Sequence, residues 1–524
     1  MAAVQVSVSP TDARCLRTLA EAVSTTPPGG VVVVRPGVYR EHLVLAADVT
    51  LVAQQGPGTV TVECDGGAAV FVSGGTVRLD GLRLAGVPGS PGTFPLVQVA
   101  GGALHLDGCE LAATGSAALH VRGGRVAVRG GRVSNPGGAG LVFDRGPGST
   151  VTGLTVVDVA SAAVVLGGDA DPVLEACVLR PGGRVAVVAS DDARGRLERC
   201  HLGDTRLAGL LVQGRARPDV RDCVIAGGQD GVRVTEEAQP ALTRCVVTGA
   251  AGHGVHADGR SRPRLSDCTV EATGGHGVLH SGSADGSADG CRVTGTASAG
   301  VVVAGAARLT FTDLAVDACA TAGLLVDGAG WAQGEGLEVA GCPTGVLGAT
   351  ASAVVLRAVA VRHGDVGLRV AAGAARFDGV TLHDLATAGA VVDAGADLHL
   401  ADGVVERAGT GVVVGERATA DLTSLDVRAG VHAGVAAGRE STLVMAACRV
   451  QGNGDVGVSL AGGSQARLTD CDLLDNGRAG LLVRTRRPVR VTGGSRRGNG
   501  GPPVERAVAG TSVTVEGPPG ADLP

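Results

Sequence analysis

The chain has 524 residues and a formal charge of −6, from 51 acidic and 45 basic side chains. All basic residues are arginine, 87 residues are glycine, and the aromatics are Trp331, Tyr39 and five phenylalanines. This balance excludes the electrostatic footprint of a nucleic-acid binder. Without large side chains, the interior has to be built from thin, closely stacked layers of Val, Ala, Leu and Cys. No run of about 18 apolar residues occurs, so no membrane span is expected. The start "MAAVQVSVSPTDARC" lacks a basic and apolar leader, so the thirteen cysteines read as reduced thiols of a cytoplasmic protein.

Along the chain one slot recurs. It is Leu82, Cys109, Gly131 and Leu154, then Cys177, Cys200, Cys223, Cys245, Cys268 and Cys291, with spacings of 23, 23, 22, 23 and 23. Leu314, Leu337, Val359, Val380, Val404 and Leu425 continue it, and Cys448 and Cys471 close it. A period of this size means a solenoid, since each unit is too short for a propeller blade or a helix pair. After the slot, polar and apolar residues alternate (Glu110-Leu111, His201-Leu202, Asp472-Leu473), which is the pattern of a half-buried strand. A second strand follows at Gly-[Val/Leu]-x-Val, as in "GLLV" (209–212), "GVRV" (231–234) and "GVVV" (300–303). Gly, Asp and Pro clusters supply the turns.

These features resemble the right-handed parallel β-helix, pectate-lyase-like superfamily. "GGVVVVRPGVYREHLVLAADVTLVAQQGPGTVTVE" (29–63) is similar to its opening coils, and "LRTLAEAV" (16–23) to the small helix that plugs the first coil. The resemblance implies an all-β chain with a single parallel β-helix of roughly 20 coils over residues 48–494. Residues 1–47 would be an N-terminal cap, and 495–524, where the period is lost, an irregular C-terminal cap and tail. One such fold hosts many chemistries.

Two outer columns single out a site. The x of Gly-[Val/Leu]-x-Val should face outward, yet it reads Val142, Val165, Val188, Leu211, Arg233, His256, Leu279, Val302, Leu325, Leu347, Arg369, Val391, Val413. An exposed apolar stripe of this kind marks a groove or a protein-binding surface. The column just before the glycine holds small residues (Ala208, Ala299, Ala322, Ala388, Ala433, Ala479), but three successive coils place Asp230, His253 and His276 there. In-register neighbours lie about 4.8 Å apart. Two imidazoles and a carboxylate form an acid–base group, or a ligand set for a divalent transition metal. Arg233 and His256, one pleat away, are candidates to bind substrate or a developing anion. His280 joins them as a binding candidate, although its column otherwise reads Val212, Val234, Ala257 and Val303, which is a core position.

Locally, "GGHGV" (274–278) and "QDGV" (229–232) resemble the histidine and first aspartate motifs of polygalacturonases, which carries over to His276 and Asp230. That family's paired aspartates are matched by His253, and its Arg-x-Lys is absent, so the resemblance does not carry the two-carboxylate inverting mechanism. No acidic calcium cluster of the pectate-lyase kind occurs. His363, His383, Asp365 and Asp384 form a candidate second polar patch, and Trp331 is expected in a loop. The arginines of "GRAGLLVRTRRPVR" (477–490) make a basic end. The sequence therefore favours an enzyme with a groove for an elongated substrate, a peptide or a sugar chain. The rival readings are a non-catalytic scaffold, monomer or homodimer, using the apolar stripe, and a degenerate polysaccharide lyase or hydrolase.

Overall fold

The computed structural model describes residues 5–87, 92–508 and 512–516. The chain packs as two compact units, residues 1–268 and 269–524. Each is a parallel β-solenoid, with about 22 turns in the two together.

Every regular coil carries three short strands, one more than the sequence pattern discloses. In the first unit the strand Asp219–Arg221 leads to Asp222 in a left-handed conformation (φ 52°). Cys223 then enters the core, Val224–Ala226 forms the next strand and Asp230–Val234 the one after it. Neighbouring coils pair in register. Leu197, Val220, Leu242 and Leu265 form one column, Leu202, Ile225 and Val247 a second, and Leu210, Val232 and Val255 a third. All are buried. Each such side chain contributes about 1.5–3 kcal/mol relative to exposure, repeated at every coil.

The left-handed residue before the slot recurs at Arg199, Arg244 and Asp267 in the first unit and at Asp313, Asp402 and Asp470 in the second. Aspartate tolerates this conformation better than most residues, which accounts for the repeated Asp-Cys pair. The glycine of Gly-[Val/Leu]-x-Val has a steric cause. A Cβ on Gly231 would stand 2.3 Å from Val247 Cγ1 and 2.7 Å from Gly254 O, and one on Gly300 in the second unit 2.3 Å from Val316 Cγ1.

All thirteen thiols are free, and all except Cys15 are buried. Cys177 donates to Val151 O at 3.4 Å, Cys245 donates to Val220 O at 3.4 Å, and Cys200 N donates to Cys223 Sγ at 3.3 Å. Burial pushes the Cys109 thiol up to about 11, so it stays protonated at neutral pH.

In the second unit three strands run long, over Ala353–Val370, Ala374–Val392 and Asp397–Val414. Here the slot falls on Gly403, which pairs with Val380 and Leu425, and not on Val404. Asp402 is the left-handed residue before the slot (φ 52°), as Asp313 and Asp470 are in their coils. Further on, Asn453, Asn476 and Asn499 stack. Each amide Nδ2 of the first two donates to the Oδ1 of the next at 3.0 Å, and Asn476 Nδ2 also donates to Val450 O at 3.2 Å.

Parallel pairing begins ahead of the helix, because strand Gln5–Val8 pairs with Gly30–Val34. The helix, Leu19–Thr25, buries Leu19 and Ala22 and is capped by Thr18, while the Glu41 carboxylate accepts from Leu19 N and Ala20 N. Pairing also continues past residue 494, with Val504–Arg506 against Leu481–Val483 and Val513–Glu516 against Val489–Thr492. The last part of the expected tail, 517–524, lies outside the described residues.

On the outside of the first unit, turn positions of successive coils alternate in sign: Asp192, Arg215, Glu237, Arg260, and likewise Arg199, Asp222, Arg244, Asp267. Arg215 grips Asp192 at 2.8 and 2.6 Å, Arg244 grips Asp222 at 2.7 and 2.8 Å, and Arg260 pairs with Glu237. Solvent screens such pairs, so each stabilises little by itself.

Candidate active site

The site lies at the strands Asp230–Val234 and Val255–Ala257 of two successive coils of the first unit, with His253 two residues ahead of the latter. Asp230 opens the strand Asp230–Val234, in register with Ala208 on the coil before it. Its side chain takes the place of a small residue and is nearly enclosed, with the residue 8% exposed. Asp230 Oδ1 accepts from His253 N at 3.1 Å. Asp230 Oδ2 lies 3.3 Å from Arg233 Nη1 and 3.6 Å from His256 Nδ1. Burial by itself would raise this carboxyl. His256 beside it, the His253 N–H and Arg233 together outweigh that effect and hold it below the ordinary carboxylate value.

Arg233 and His256 are in-register neighbours. Arg233 Nη1 donates to His256 Nδ1, and Arg233 Nη2 pairs with Asp258. The rings of His253 and His256 meet edge to face, with centroids 5.0 Å apart and planes at 85°. Asp230, His253 and His256 each offer a ligand atom, and the three lie within 4.8 Å of one another. A guanidinium has only donors, so His256 Nδ1 must be the acceptor. That tautomer carries its proton on Nε2. Gly252 leaves room for the cluster, since a Cβ there would stand 2.7 Å from Gln229 O and 3.3 Å from Asp230 Oδ1.

The structure thus joins Asp230 and His253 as the sequence suggests, and it moves His256 from a binding role into the same cluster. The guanidinium of Arg233 is engaged by Asp230, His256 and Asp258, which corrects the expectation that it reaches out to a substrate anion. His276 belongs to the second unit, where its Nδ1 accepts from Ala299 N at 3.3 Å. His280 is fully buried (0% exposed) and stands in register with Val303, so it is a core residue and no substrate reaches it.

The x column is half-buried along Val165, Val188 and Leu211 in the first unit. In the second unit Val302 is 4% exposed and packs with Ala299, Ala322 and Leu325. The alanines of the neighbouring column let the larger side chains fold down over them, so the stripe is not openly exposed. A shallow concavity of about 660 Å³ lies over the turns that follow, lined by Gly214, Arg215, Glu237, Gly259 and Arg260 among others.

Asp258 escaped the sequence reading. Its signal is a diagonal that recurs. His120 Nε2 meets Asp144 Oδ2 at 2.7 Å and Arg369 Nε meets Asp393 Oδ2 at 2.8 Å, each an x residue with the residue two beyond x on the next coil, as with Arg233 and Asp258. The second polar patch is divided. His363 lies 3.9 Å from Asp384, which is gripped by Arg407. His383 stands in another column, 3.1 Å from Glu406. Asp365 N donates to Pro343 O. Trp331 begins a strand, contrary to the expected loop, with Arg308 stacked 5.5 Å from its ring. At the basic end, Arg478 is neutralised by Glu505.

The stacked coils define a parallel β-solenoid with a polar cluster on one sheet. Residues 162–316 and 366–516 match the model of the family "Right handed beta helix region", and the chain belongs to that family. No curated protein matches the chain. Among solved structures it is similar to pectate lyase Pel9A, with 9% identity, TM-score 0.22, and 67% of this chain and 77% of that chain covered. It is similar to the PL6 family alginate lyase AlyGC, with 9% identity, TM-score 0.23, and 98% and 99% covered. The periplasmic alginate epimerase AlgG is a further likeness, with 11% identity, TM-score 0.21, and 92% and 79% covered.

Proposed function

We propose that the protein is a cytoplasmic enzyme that lays an elongated substrate, a sugar or peptide chain, along the second-strand face of its first unit. Proton transfer takes place at His253, supported by Asp230 and His256. The observation that carries this reading is the nearly enclosed Asp230 carboxylate in a column of small residues, bonded to the backbone of one histidine and beside the ring of another. Asp230 stays ionised and fixes the histidine loop. His256, with a proton on Nε2, hydrogen-bonds the substrate, and His253 is the proton acceptor. Arg233 is a positioning residue that sets the His256 tautomer. Val165, Val188 and Leu211 form an apolar floor leading to the cluster, one rung of about 4.8 Å per coil.

The test is a panel of polysaccharides and unstructured polypeptides incubated with the full chain, with products read by mass spectrometry. Turnover of one polymer class that falls at least about 100-fold in His256→Ala and in Asp230→Asn supports the reading, a loss typical of removing an acid–base group. Turnover untouched by both substitutions, or none across the panel, sinks it.

A further inference from the structure

We infer that Asp230, His253 and His256 form a binding site for a divalent first-row transition metal ion, held in check by Arg233. The inference rests on the same cluster as the proposed function; with metal bound, His253 is a ligand in place of its acceptor role.

Three observations converge. The first is the donor set. Two imidazoles and one carboxylate, each offering a ligand atom within 4.8 Å of the others, match the soft-to-borderline nitrogen and oxygen preference of such ions. In a bound site, metal–ligand bonds of about 2.0–2.2 Å put neighbouring ligand atoms about 3–3.5 Å apart. His256 Nδ1 and Asp230 Oδ2 already stand at 3.6 Å, so side-chain rotation without backbone movement closes that edge.

The second is charge. Two carboxylates, Asp230 and Asp258, face the single guanidinium of Arg233. A nearly enclosed pair of acids with one fixed cation between them favours a second cation.

The third is the placement of Arg233. Nη1 sits on Asp230 and on His256 Nδ1, the atoms a metal would take, while Nη2 is already bonded to Asp258. Asp258 is outside the ligand set and pairs with Nη2, so it can hold the guanidinium after the metal arrives. The same diagonal ion pair stands by itself at Arg369 and Asp393. Metal on Nδ1 leaves the Nε2 proton of His256 in place.

The full chain is titrated with Co²⁺, followed by visible absorption, and with Zn²⁺ by calorimetry, in wild type, His253→Ala/His256→Ala and Arg233→Ala. Circular dichroism and the thermal transition verify the fold of each variant. The expected result is one site per chain in wild type, weakened at least about 100-fold in the double variant, which removes two ligands, and tightened in Arg233→Ala. Equal binding in wild type and the double variant overturns the site. Unchanged or weaker binding in Arg233→Ala overturns the competition with arginine. Turnover lost in His256→Ala without metal binding in wild type leaves the acid–base reading standing alone. Metal binding without turnover of any polymer leaves the site and removes that reading.

Discussion

Arg233 and His256 are neighbours on successive coils, and the guanidinium donates directly to the imidazole Nδ1. A permanent cation on that nitrogen decides the tautomer of the ring. It also ties together two carboxylates, Asp230 and Asp258, that would otherwise repel each other. The cluster is a single electrostatic unit, so substitutions within it will not add independently.

Asp230 gives the pH dependence of this unit. Its folded pKa lies below the ordinary value of 3.8. Its contribution to stability is therefore fully present above that value and is lost as pH falls through the lower folded pKa. Asp230→Asn should destabilise the first unit by on the order of 2 kcal/mol at pH 7, since charge-assisted hydrogen bonds are lost. The difference from wild type should vanish in strong acid. Urea unfolding at a series of pH values checks this, and a difference that grows on acidification would contradict it.

The stacking glycines make a steric prediction away from the site. Gly300→Ala puts a Cβ 2.3 Å from Val316 Cγ1 and 2.9 Å from Gly323 O. It should cost about 1–3 kcal/mol or more, the usual penalty of overpacking. Val316→Ala in the same chain should relieve part of that cost, because the backbone contact remains. Thermal unfolding of the two single variants and the double variant measures the coupling.

The asparagine stack should be strongest at its middle. Asn476 is enclosed, donates to Asn499 Oδ1 and Val450 O, and accepts from Asn453 N and Nδ2. Asn476→Asp removes both side-chain donor bonds and buries a charge against an oxygen. It should destabilise by about 2–4 kcal/mol, and by more than Asn499→Asp, which sits at the half-exposed end. Each asparagine precedes glycine, so mass spectrometry of aged protein gives a second measure: deamidation should be fastest at Asn499.

The thiols should separate into one and twelve. A thiol reagent applied to folded protein at pH 8 should label Cys15 quickly and the other twelve only on unfolding, since they are buried. Cys109, pushed up to about 11, should stay unreactive even at pH 9. Rapid labelling of several cysteines in the native state would contradict the packing.

Much of this architecture is written in the period. The cysteine slot alone locates the coils, because an inward position repeated every 22 or 23 residues has one geometric meaning. The third strand is hidden because triplets such as "RLE", "DVR" and "ALT" are too short to show alternation. The slot at Gly403 is hidden because a glycine there breaks the run of apolar residues that marks the slot in neighbouring coils. At the site, Asp230 and His253 stand out as residue types foreign to their column. His256 joining them is a matter of side-chain length and direction across one pleat, which spacing does not reveal. Asp258 was legible only through its diagonal, which becomes visible once the pairs of His120 and Arg369 are known. The apolar stripe read as exposed because alternation says which way a side chain starts, and not whether a small neighbour lets it lie down.

The alternating charges on the turns of the first unit carry a consequence for how such a chain lengthens. A tandem duplication of one coil would set Arg215 beside another arginine, or Glu237 beside another glutamate, at a spacing of about 4.8 Å. A duplication of two coils would keep every neighbour opposite in sign. In this stretch the protein is built to grow by even steps, and its smallest inheritable module is the pair.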